Sequence, residues 1–345
     1  MNKGIGIIGC GKIAQIRHIP EFAANPRCHL AGYYNPTRSR AEDMASKYGG
    51  KVYDSIDGML SDPDVDAVVV CLAHSVHAEG AVKALEAGKD VLCEKPMATT
   101  MDECLLMLET AKRTGRLLLI AQNQRLAPAH MKARKLIEEG AIGKVLTFRT
   151  AFGHSGPENW SISPGKDTWF FKPGTAVMGV MADLGVHKTD LVIYLLDSNV
   201  VNVRAKLSTL DKKGPDDELI KVDDNAVCIF TMENGAVGTM TASWTYYGRE
   251  DNSTVIYGTE GIIRIYDSDE HPLQLVSKDG TVRNIETESI QTNDNQTFSG
   301  VADCFLDSLY SGDPGILSAE KIIPAMKAVF GAFASNDSGK SIDIR

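Results

Sequence analysis

A short apolar strand that runs directly into a glycine turn lies at the start of the chain, and no other feature of the sequence constrains the fold as strongly. Residues 3–8 read KGIGII, and Gly9, Gly11 and Ala14 follow with the spacing GxGxxA. The first glycine of such a turn permits a tight change of direction, and the second lets the backbone approach a ligand. The third small residue lets a helix pack closely on the sheet, and the N–H groups at the start of that helix suit a diphosphate. Taken alone the turn is weak evidence for a dinucleotide site, because glycine turns with a purely structural role are common.

Length and composition indicate a globular protein of two domains. A chain of 345 residues exceeds what one ordinary core accommodates. The formal net charge of −9 argues against a nucleic-acid or anionic-membrane partner, but a local cluster of N–H groups can still hold phosphate. No apolar run has the length of a membrane span, and the first strand begins so close to Met1 that we expect no signal peptide. We therefore expect a cytoplasmic protein.

The cysteine pattern points to free thiols. Seven cysteines stand at positions 10, 28, 71, 93, 104, 228 and 304, and none forms a CxxC pair. This pattern favours small buried thiols in a reducing cytoplasm over disulfides or zinc ligands. We expect no metal site.

Strand-like and helix-like segments alternate over the first part of the chain. Residues 66–72 (DAVVVCL) form a nearly continuous apolar run, as buried parallel strands do. Such alternation is typical of a doubly wound sheet. We predict an α/β fold whose residues 1–124 form a Rossmann domain with a parallel sheet.

The pattern changes after residue 124. A helix-like run at 175–196 is followed by alternating strand-like runs up to residue 286, and Asn234-Gly235 and Asp279-Gly280 are hairpin signals. We predict a second α/β domain over 125–345 with a large open, mostly antiparallel sheet. Its C-terminal segment is a candidate to pack back on the first domain.

The residue at the end of the second predicted strand bears on cofactor choice. An acidic residue about twenty positions past the glycine turn normally holds the adenosine ribose. Asn35 stands there instead, followed by Thr37 and Arg38. Without a repelling carboxylate, a hydroxyl and a guanidinium can accept a 2′-phosphate, which slightly favours NADP over NAD. The alternative is an ordinary turn with a solvated Arg38.

Two later motifs are more specific. One is Glu94-Lys95-Pro96 at a strand end, and the other is Asp183-Leu-Gly-Val-His187 in a helix-like run. With both motifs present, the sequence resembles the Gfo/Idh/MocA family of NAD(P)-dependent sugar and inositol dehydrogenases. The resemblance covers nearly the whole chain and includes GIIGCGKIA, QNQR at 122–125, GAIGK, Trp169 and GTEG at 258–261. It implies a Rossmann domain followed by an α/β domain whose open sheet mediates homodimers or homotetramers.

The resemblance also assigns residues. Lys95 falls on the lysine that contacts the nicotinamide ribose and the substrate hydroxyl, and Asp183 and His187 fall on the catalytic acid/base positions. The chain departs from the family where Phe170 replaces an arginine and where Val177-Met178-Gly179 replaces a glycine triplet. The predicted cofactor-binding residues are Gly9, Gly11, Lys12, Ile13, Asn35, Thr37, Arg38, Cys71, Leu72, His74, His77, Glu94, Lys95, Asn123 and Trp169. The predicted substrate-binding residues are Lys95, Arg125, His154, Trp160, Lys172, Asp183, His187 and Tyr246.

The chemistry of these residue types agrees with an alcohol dehydrogenase. Oxidation of a secondary alcohol needs a hydride acceptor, a group that takes the hydroxyl proton, and a group that stabilises the developing negative charge on oxygen. Asp183 and His187, four positions apart, share one face of a helix, and histidine titrates near neutrality. On spacing alone such a pair is more often a plain surface pair, and Lys95 could be a solvated strand-end lysine.

We therefore predict an enzyme that transfers hydride between a ring hydroxyl of an inositol or sugar and NAD(P). His187 or Lys95 is the proton acceptor. One alternative is a redox-neutral glycoside-processing enzyme with tightly bound NAD. The other is a non-catalytic NAD(P)-binding sensor, against which the acid/base set argues.

Overall fold

The computed structural model describes residues 2–288 and 298–344, which fall into two compact units. The first unit holds residues 2–123 and 298–323 of this set, and the second holds 124–288 and 324–344. The predicted domains divide after residue 124, and the C-terminal segment is a candidate to pack back on the first domain. In the structure, residues 298–323 belong to the first unit.

The first unit contains a parallel sheet. In chain order its strands are β1 (Lys3–Ile8), β2 (Cys28–Tyr34), β3 (Lys51–Val52), β4 (Ala67–Val70), β5 (Asp90–Cys93) and β6 (Leu118–Ile120). Their order across the sheet is β3-β2-β1-β4-β5-β6, and every pair is parallel. β1 and β4 are almost entirely buried, as expected of central strands covered on both faces. The order reverses beside β1, which is the switch point where such sheets bind ligands.

Helices cover this sheet and pack in the second unit. In chain order the described α-helices are α1 (Ile19–Ala24), α2 (Arg38–Tyr48), α3 (Ile56–Leu60), α4 (His77–Glu86), α5 (Met101–Thr114), α6 (Pro128–Glu138), α7 (Val186–Leu196), α8 (Val301–Ser311) and α9 (Ala319–Ser338). Helical turns of the π type precede α1 (Ala14–His18) and α7 (Met181–Gly185). None of the described helices combines the length and apolar character that a bilayer crossing requires.

The second unit is built on a larger sheet. Its strands are β7 (Val145–Gly153), β8 (Val200–Ser208), β9 (Asn225–Met232), β10 (Val237–Ser243), β11 (Thr254–Gly258), β12 (Gly261–Ile265), β13 (Leu273–Ser277), β14 (Val282–Ile285) and β15 (Ile342–Asp343). They are ordered β14-β13-β12-β11-β7-β10-β9-β8-β15, and among the described strands of this second sheet only β7 and β10 pair in parallel. The predicted fold class is confirmed.

Both glycine hairpin signals are confirmed as well. Asn234-Gly235 joins β9 to β10, and Asp279-Gly280 joins β13 to β14, in antiparallel pairs. Gly235 and Gly280 have φ of 87° and 89°, the left-handed conformation that such turns require.

One element begins later than its sequence pattern predicted. The helix expected over 175–196 starts at Met181, and the preceding residues form a turn. Val177 has a φ of 64°, which no α-helix accommodates. The backbone of Gly179 passes so close to Asp223 that an added Cβ would lie 2.0 Å from its carbonyl oxygen. Contacts with a distant segment therefore override the apolar pattern.

α7 is buried along its whole length, and it includes a lysine. Lys188 is fully buried and donates from Nζ to the carbonyl oxygen of Asn252 at 2.8 Å. Its ammonium also lies 5.9 Å from the centre of the Phe152 ring. Burial lowers the pKa of Lys188 to about 7, and the charges of Asp251 and Glu250 oppose this shift only in part.

This burial predicts a specific pH dependence of stability. An unfolded lysine has a pKa of about 10.4, so between pH 7 and that value the unfolded chain binds a proton that the folded chain does not. The free energy of unfolding should therefore rise with pH across this window, by at most about 1.4 kcal/mol per pH unit from this group. Lys188→Met should remove this contribution to the pH dependence of the free energy of unfolding. Urea titrations at pH 7 to 9.5, followed by fluorescence of the three tryptophans, report on it because all three lie in the second unit.

The exposed Lys221 provides the control. Lys221→Met should retain the wild-type pH slope. An equal slope in wild type and Lys188→Met would show that Lys188 keeps an ordinary pKa when folded.

Candidate active site

The glycine turn of the first unit has the geometry of a phosphate cradle. Gly9 has a φ of 100°, and a Cβ there would lie 2.4 Å from the carbonyl oxygen of Cys71. No side chain fits at this position. At Gly11 the nearest atom to an added Cβ is 3.9 Å away, so the missing side chain leaves open space beside the turn. Lys12 and Ile13 follow as the chain enters its first helical turn.

Asn35, which follows β2, is hydrogen-bonded to this turn. Its Oδ1 accepts a hydrogen bond from the N–H of Cys10 at 2.9 Å, and its Nδ2 donates to the carbonyl oxygen of Thr37. Asn35 thus links the turn to the start of α2. Arg38 is exposed and donates to Glu42 and to Asp54, so the guanidinium already has carboxylate partners.

The end of β5 is fixed by a buried charge cluster. Glu94 accepts a hydrogen bond from His18 at 2.7 Å, lies 3.5 Å from Arg17, and accepts the backbone N–H of Lys95. Burial acts to raise the pKa of Glu94, but His18, Arg17 and Lys95 outweigh it and hold that pKa well below its usual range. The carboxylate is therefore ionised and anchors the backbone that carries the half-buried Lys95.

Two histidines lie beyond the end of β4, after Cys71 and Leu72. The His77 ring nitrogens lie 2.8 Å and 3.0 Å from the carbonyl oxygens of Pro96 and Leu72, which joins the segment after β4 to the segment after β5. Burial lowers the pKa of His77 despite these contacts. His74 is buried against it, with ring centres 5.7 Å apart.

Residues after β6 complete this edge of the sheet. Ala121 donates its N–H to Cys93 of β5, and Asn123 follows two positions later. Gln122 between them is 1% exposed, and within the described residues neither atom of its carboxamide has a hydrogen-bond partner. An unsatisfied buried amide costs about 1–3 kcal/mol and is typical of a position that contacts ligand or ordered water.

These residues fit a dinucleotide. The cradle, the Asn35 link and the side chains after β4, β5 and β6 all lie at the carboxyl ends of parallel strands around the switch point. The structure therefore brings together the predicted cofactor residues from Gly9 to Asn123. Trp169 belongs to the second unit.

Among the described residues no cluster of histidine, cysteine, aspartate and glutamate suits a metal ion, and all seven cysteines are free thiols.

In the second unit, Asp183 and His187 lie on one continuous helical segment. Asp183 belongs to the π turn and is 1% exposed, and His187 lies in the first turn of α7 and is 6% exposed. The indole Nε1 of Trp244 donates to Oδ2 of Asp183 at 3.1 Å. Phe152 of β7 lies against the His187 ring, with centres 5.8 Å apart.

Asp223 fixes where this helical segment begins. Its carboxylate accepts the N–H of Gly179 at 2.9 Å and that of Met181 at 2.7 Å, and its carbonyl oxygen accepts the N–H of Val180. Burial raises the pKa of Asp223 to about 6 against these donors. A carboxylate at this position satisfies the first N–H groups of a helix and complements its dipole.

A series of ring contacts extends from His187 into the loop after β7. Phe152, His154, Trp160 and Phe170 contact one another in turn, with ring centres 5.5–6.4 Å apart, and Trp169 lies 3.9 Å from Phe170. The Gly156 N–H donates to His154 Nδ1, so a neutral His154 carries its proton on Nε2. Tyr246 packs directly over Gly153, where an added Cβ would lie 2.2 Å from its ring.

The cationic side chains around this loop each have a carboxylate partner. Lys172 pairs with Asp167, Lys166 with Asp217, and the buried Lys212 with Glu158. Arg125 forms a buried two-pronged ion pair with Asp190 of α7, at 2.8 Å and 2.6 Å. Arg125 therefore holds α7 in place, and its contact with substrate stays a prediction.

Several groups that hold the site were missed from the sequence. Trp244, Asp223 and Asp190 in the second unit and the Arg17–His18 pair in the first all contact predicted site residues or the helix that carries them. Only Asp190 carried a signal, because it follows His187 by three positions and so lies near the same helix face.

Comparison with known proteins shows which family the chain resembles. Residues 3–122 match the model of an oxidoreductase family with an NAD-binding Rossmann fold, and residues 130–264 match the Gfo/Idh/MocA C-terminal domain. Levoglucosan dehydrogenase of Pseudarthrobacter phenanthrenivorans is 32% identical over 76% of this chain and 73% of its own. Glucose-6-phosphate 3-dehydrogenase of Bacillus subtilis is 28% identical over 89% and 87%. A levoglucosan dehydrogenase solved with NADH and levoglucosan superposes with a TM-score of 0.90 at 25% identity, over all of both chains.

The two family models together match well over half of the chain, one in each unit. The cradle at Gly9 and Gly11 lies within the first match, and the helical segment with Asp183 and His187 lies within the second. The chain therefore belongs to the Gfo/Idh/MocA family of oxidoreductases, and its first unit is an NAD-binding Rossmann domain.

Proposed function

We propose that this protein is an NAD(P)-dependent dehydrogenase that reversibly oxidises a ring hydroxyl of an uncharged sugar or polyol. The observation that carries the proposal is the pair Asp183 and His187 on one helical segment, with the Asp183 carboxylate fixed by Trp244 and aromatic rings beside His187. The names of relatives support the same class, since they act on levoglucosan, glucose 6-phosphate and inositols.

Each of three residues has a role in the reaction. His187 takes the proton of the substrate hydroxyl, and Asp183 stabilises the imidazolium that forms. Lys95 stabilises the negative charge that develops on the substrate oxygen. NAD(P)+ supplies the hydride acceptor when bound, held by the glycine turn and the residues after β4, β5 and β6.

Two features of the second unit support an uncharged substrate. The half-buried rings of Trp160 and Trp169 in the aromatic series offer faces on which the C–H faces of a sugar stack well. Lys212 is buried and already paired with Glu158, so a phosphate would have to displace that carboxylate to reach it. The relative named for glucose 6-phosphate is thus a poorer guide to substrate than the one named for levoglucosan.

A screen of cofactor reduction tests the proposal. Purified protein with NAD+ or NADP+ should reduce cofactor with at least one of levoglucosan, glucose, methyl glucosides and the inositol isomers. Glucose 6-phosphate should be a poorer substrate than glucose. Turnover of glycosides without added NAD(P), by protein that retains cofactor through purification, would favour the redox-neutral alternative. Cofactor binding with no turnover of any of these compounds would favour a sensor.

The helix pair gives a sharper prediction. A general base contributes about 10²–10⁴-fold to rate, so His187→Ala should lower kcat by a factor in that range with a smaller effect on KM. Asp183→Asn should also lower kcat, because an amide stabilises an imidazolium less well than a carboxylate. Since the two residues act as a unit, the double variant should lose much less than the product of the single losses.

Steady-state kinetics of the four proteins, with binary cofactor affinity as the control, measures this coupling. Losses that multiply would assign the two residues independent roles. Wild-type kcat in both single variants would remove the pair from the reaction.

We further propose that NADP is used at least as well as NAD. The carboxylate that would repel a 2′-phosphate is replaced by Asn35, and Arg38 lies at the start of α2 beside it. The partners of Arg38, Glu42 and Asp54, are exposed, and exposed ion pairs contribute only about 0–1 kcal/mol. A phosphate with two negative charges can therefore compete for the guanidinium.

Arg38→Ala should weaken NADP binding by about 1–3 kcal/mol and leave NAD binding nearly unchanged. Glu42→Gln should act in the opposite direction and strengthen NADP binding, since it removes one competing carboxylate. Dissociation constants for both cofactors, from quenching of tryptophan fluorescence or from calorimetry, provide the comparison. Parallel losses for the two cofactors in Arg38→Ala would exclude a role in discrimination.

We also propose that the open face of the second sheet forms a homo-oligomer interface. Val227 and Ile229 of β9 and Val237 of β10 are about half exposed, and the strand register places them on one face. A patch of this kind on an antiparallel sheet is typical of an association surface.

Ile229→Asp should shift the protein toward monomer by placing a charge in this face. Leu106→Asp, at a similarly exposed position on α5 of the first unit, is the matched control and should leave the assembly unchanged. Sedimentation velocity at several concentrations measures both. A monomeric wild type, or an oligomer that Ile229→Asp leaves intact, would contradict this interface.

A further inference from the structure

We propose that Trp244 is a positioning residue for the reaction: its indole N–H fixes the orientation of the Asp183 carboxylate and so determines how that carboxylate serves His187. The inference rests on the proposed function, because it assigns Trp244 a role through the Asp183–His187 pair. Trp244 itself contacts neither the cofactor nor the substrate in this proposal.

The hydrogen bond between Trp244 and Asp183 is buried, and Trp244 is its donor. Nε1 of Trp244 lies 3.1 Å from Oδ2 of Asp183, and the two residues are 0% and 1% exposed. An indole N–H can only donate, and an ionised carboxylate can only accept. Hydrogen bonds of this charge-assisted kind are about twice as strong as neutral ones.

The indole is held so that it cannot follow a moving carboxylate. The backbone N–H of Trp244 donates to the carbonyl oxygen of Asp224 at 2.9 Å. The carboxylate of Asp224 accepts three backbone N–H groups, from Leu210, Asp211 and Lys212, each at 2.8 Å. The rings of Phe170 and Phe171 pack on Trp244, with centres 6.4 Å and 5.9 Å away.

The backbone of Asp183 is held from the other side. Its N–H donates to the carbonyl oxygen of Gly179, and Asp223 accepts the N–H groups of Gly179 and Met181. With the backbone fixed and Oδ2 bound, the carboxylate plane has one orientation, and the direction of Oδ1 follows from it. The arrangement has the logic of a catalytic triad, in which the partner of the base is itself oriented by a third group.

Removal of the indole N–H should therefore change both the orientation and the protonation of the Asp183 carboxylate. A carboxylate that loses a hydrogen bond to its charged form has a higher pKa. The acidic limb of the profile of kcat against pH should then move to higher pH. A tryptophan that only fills space would not produce this shift.

The test replaces Trp244 with β-(3-benzothienyl)alanine, in which sulfur takes the place of the indole N–H and the shape is kept. We expect kcat to fall by about 10–100-fold, as the loss of one hydrogen bond to a charged group implies. KM, binary NAD(H) affinity and the thermal midpoint should stay close to wild type. The acidic limb should move to higher pH.

Trp244→Phe is the second variant, and it is available by ordinary mutagenesis. It lacks the same N–H but also leaves a cavity, so it should show the same pH shift together with a lower thermal midpoint. An unchanged kcat and pH profile in the isosteric variant would overturn the proposal. The same is true of a lower thermal midpoint with kcat retained, which would show that Trp244 has a packing role alone.

A double-variant cycle separates this inference from the function on which it rests. In an Asp183→Ala background Trp244 has no acceptor, so the isosteric replacement should cost little further kcat. If Asp183→Ala lowers kcat and the isosteric replacement multiplies that loss in full, the inference fails while the proposed function stands. If Asp183→Ala and His187→Ala both retain wild-type kcat, the pair has no role in the reaction and the inference fails while the dehydrogenase activity stands. The absence of turnover in wild type would instead contradict the proposed function.

Discussion

Two adjacent aspartates just before β9 hold the candidate site of the second unit by accepting hydrogen bonds from backbone N–H groups. Asp223 binds the N–H groups of Gly179 and Met181, and Asp224 binds three N–H groups of residues 210–212. Burying a carboxylate is costly, and burial raises the pKa of Asp223 to about 6. The peptide donors offset that cost. As a result two loops converge on one edge of the sheet, and the helical segment with Asp183 starts at a defined residue.

In the first unit, charged side chains stabilise the buried carboxylate that holds the candidate site. Glu94 is ionised between Arg17 and His18, both buried on the first helical segment after the glycine turn. The turn that would cradle a diphosphate and the strand end that carries Lys95 are thereby connected through one carboxylate. Removing a single partner from such a buried cluster typically costs about 3–5 kcal/mol, which is far more than an exposed pair contributes. The cluster therefore fixes the relative position of the two segments.

Local patterns were sufficient to predict the sheets but not the supports of the site. Buried parallel strands, the glycine turn and the Asn-Gly and Asp-Gly hairpins depend on neighbouring residues, so they could be predicted from the sequence. The start of the helix at Met181 depends on Asp223, more than 40 positions away, and so does not follow from the apolar pattern. Trp244 reaches Asp183 across 61 positions, and Arg125 reaches Asp190 across 65. Spacing along the chain contains no signal for contacts of this kind, and they emerge only when the strand order and register are known.

The polar side chains of α7, a fully buried helix, fix its rotation about its own axis. An apolar helix in an apolar environment can rotate about its axis at little cost, and well-packed apolar residues often match a buried ion pair in stability. Lys188 donates to the Asn252 carbonyl and to Thr254, Asp190 has a two-pronged donor in Arg125, and Asp183, just before α7, accepts from Trp244. A slip of one residue turns the helix by about 100° and would separate all three from their partners. Each unsatisfied group would then cost about 1–3 kcal/mol, and more where it is charged. These contacts therefore fix the rotation of the helix, and with it the direction in which His187 points.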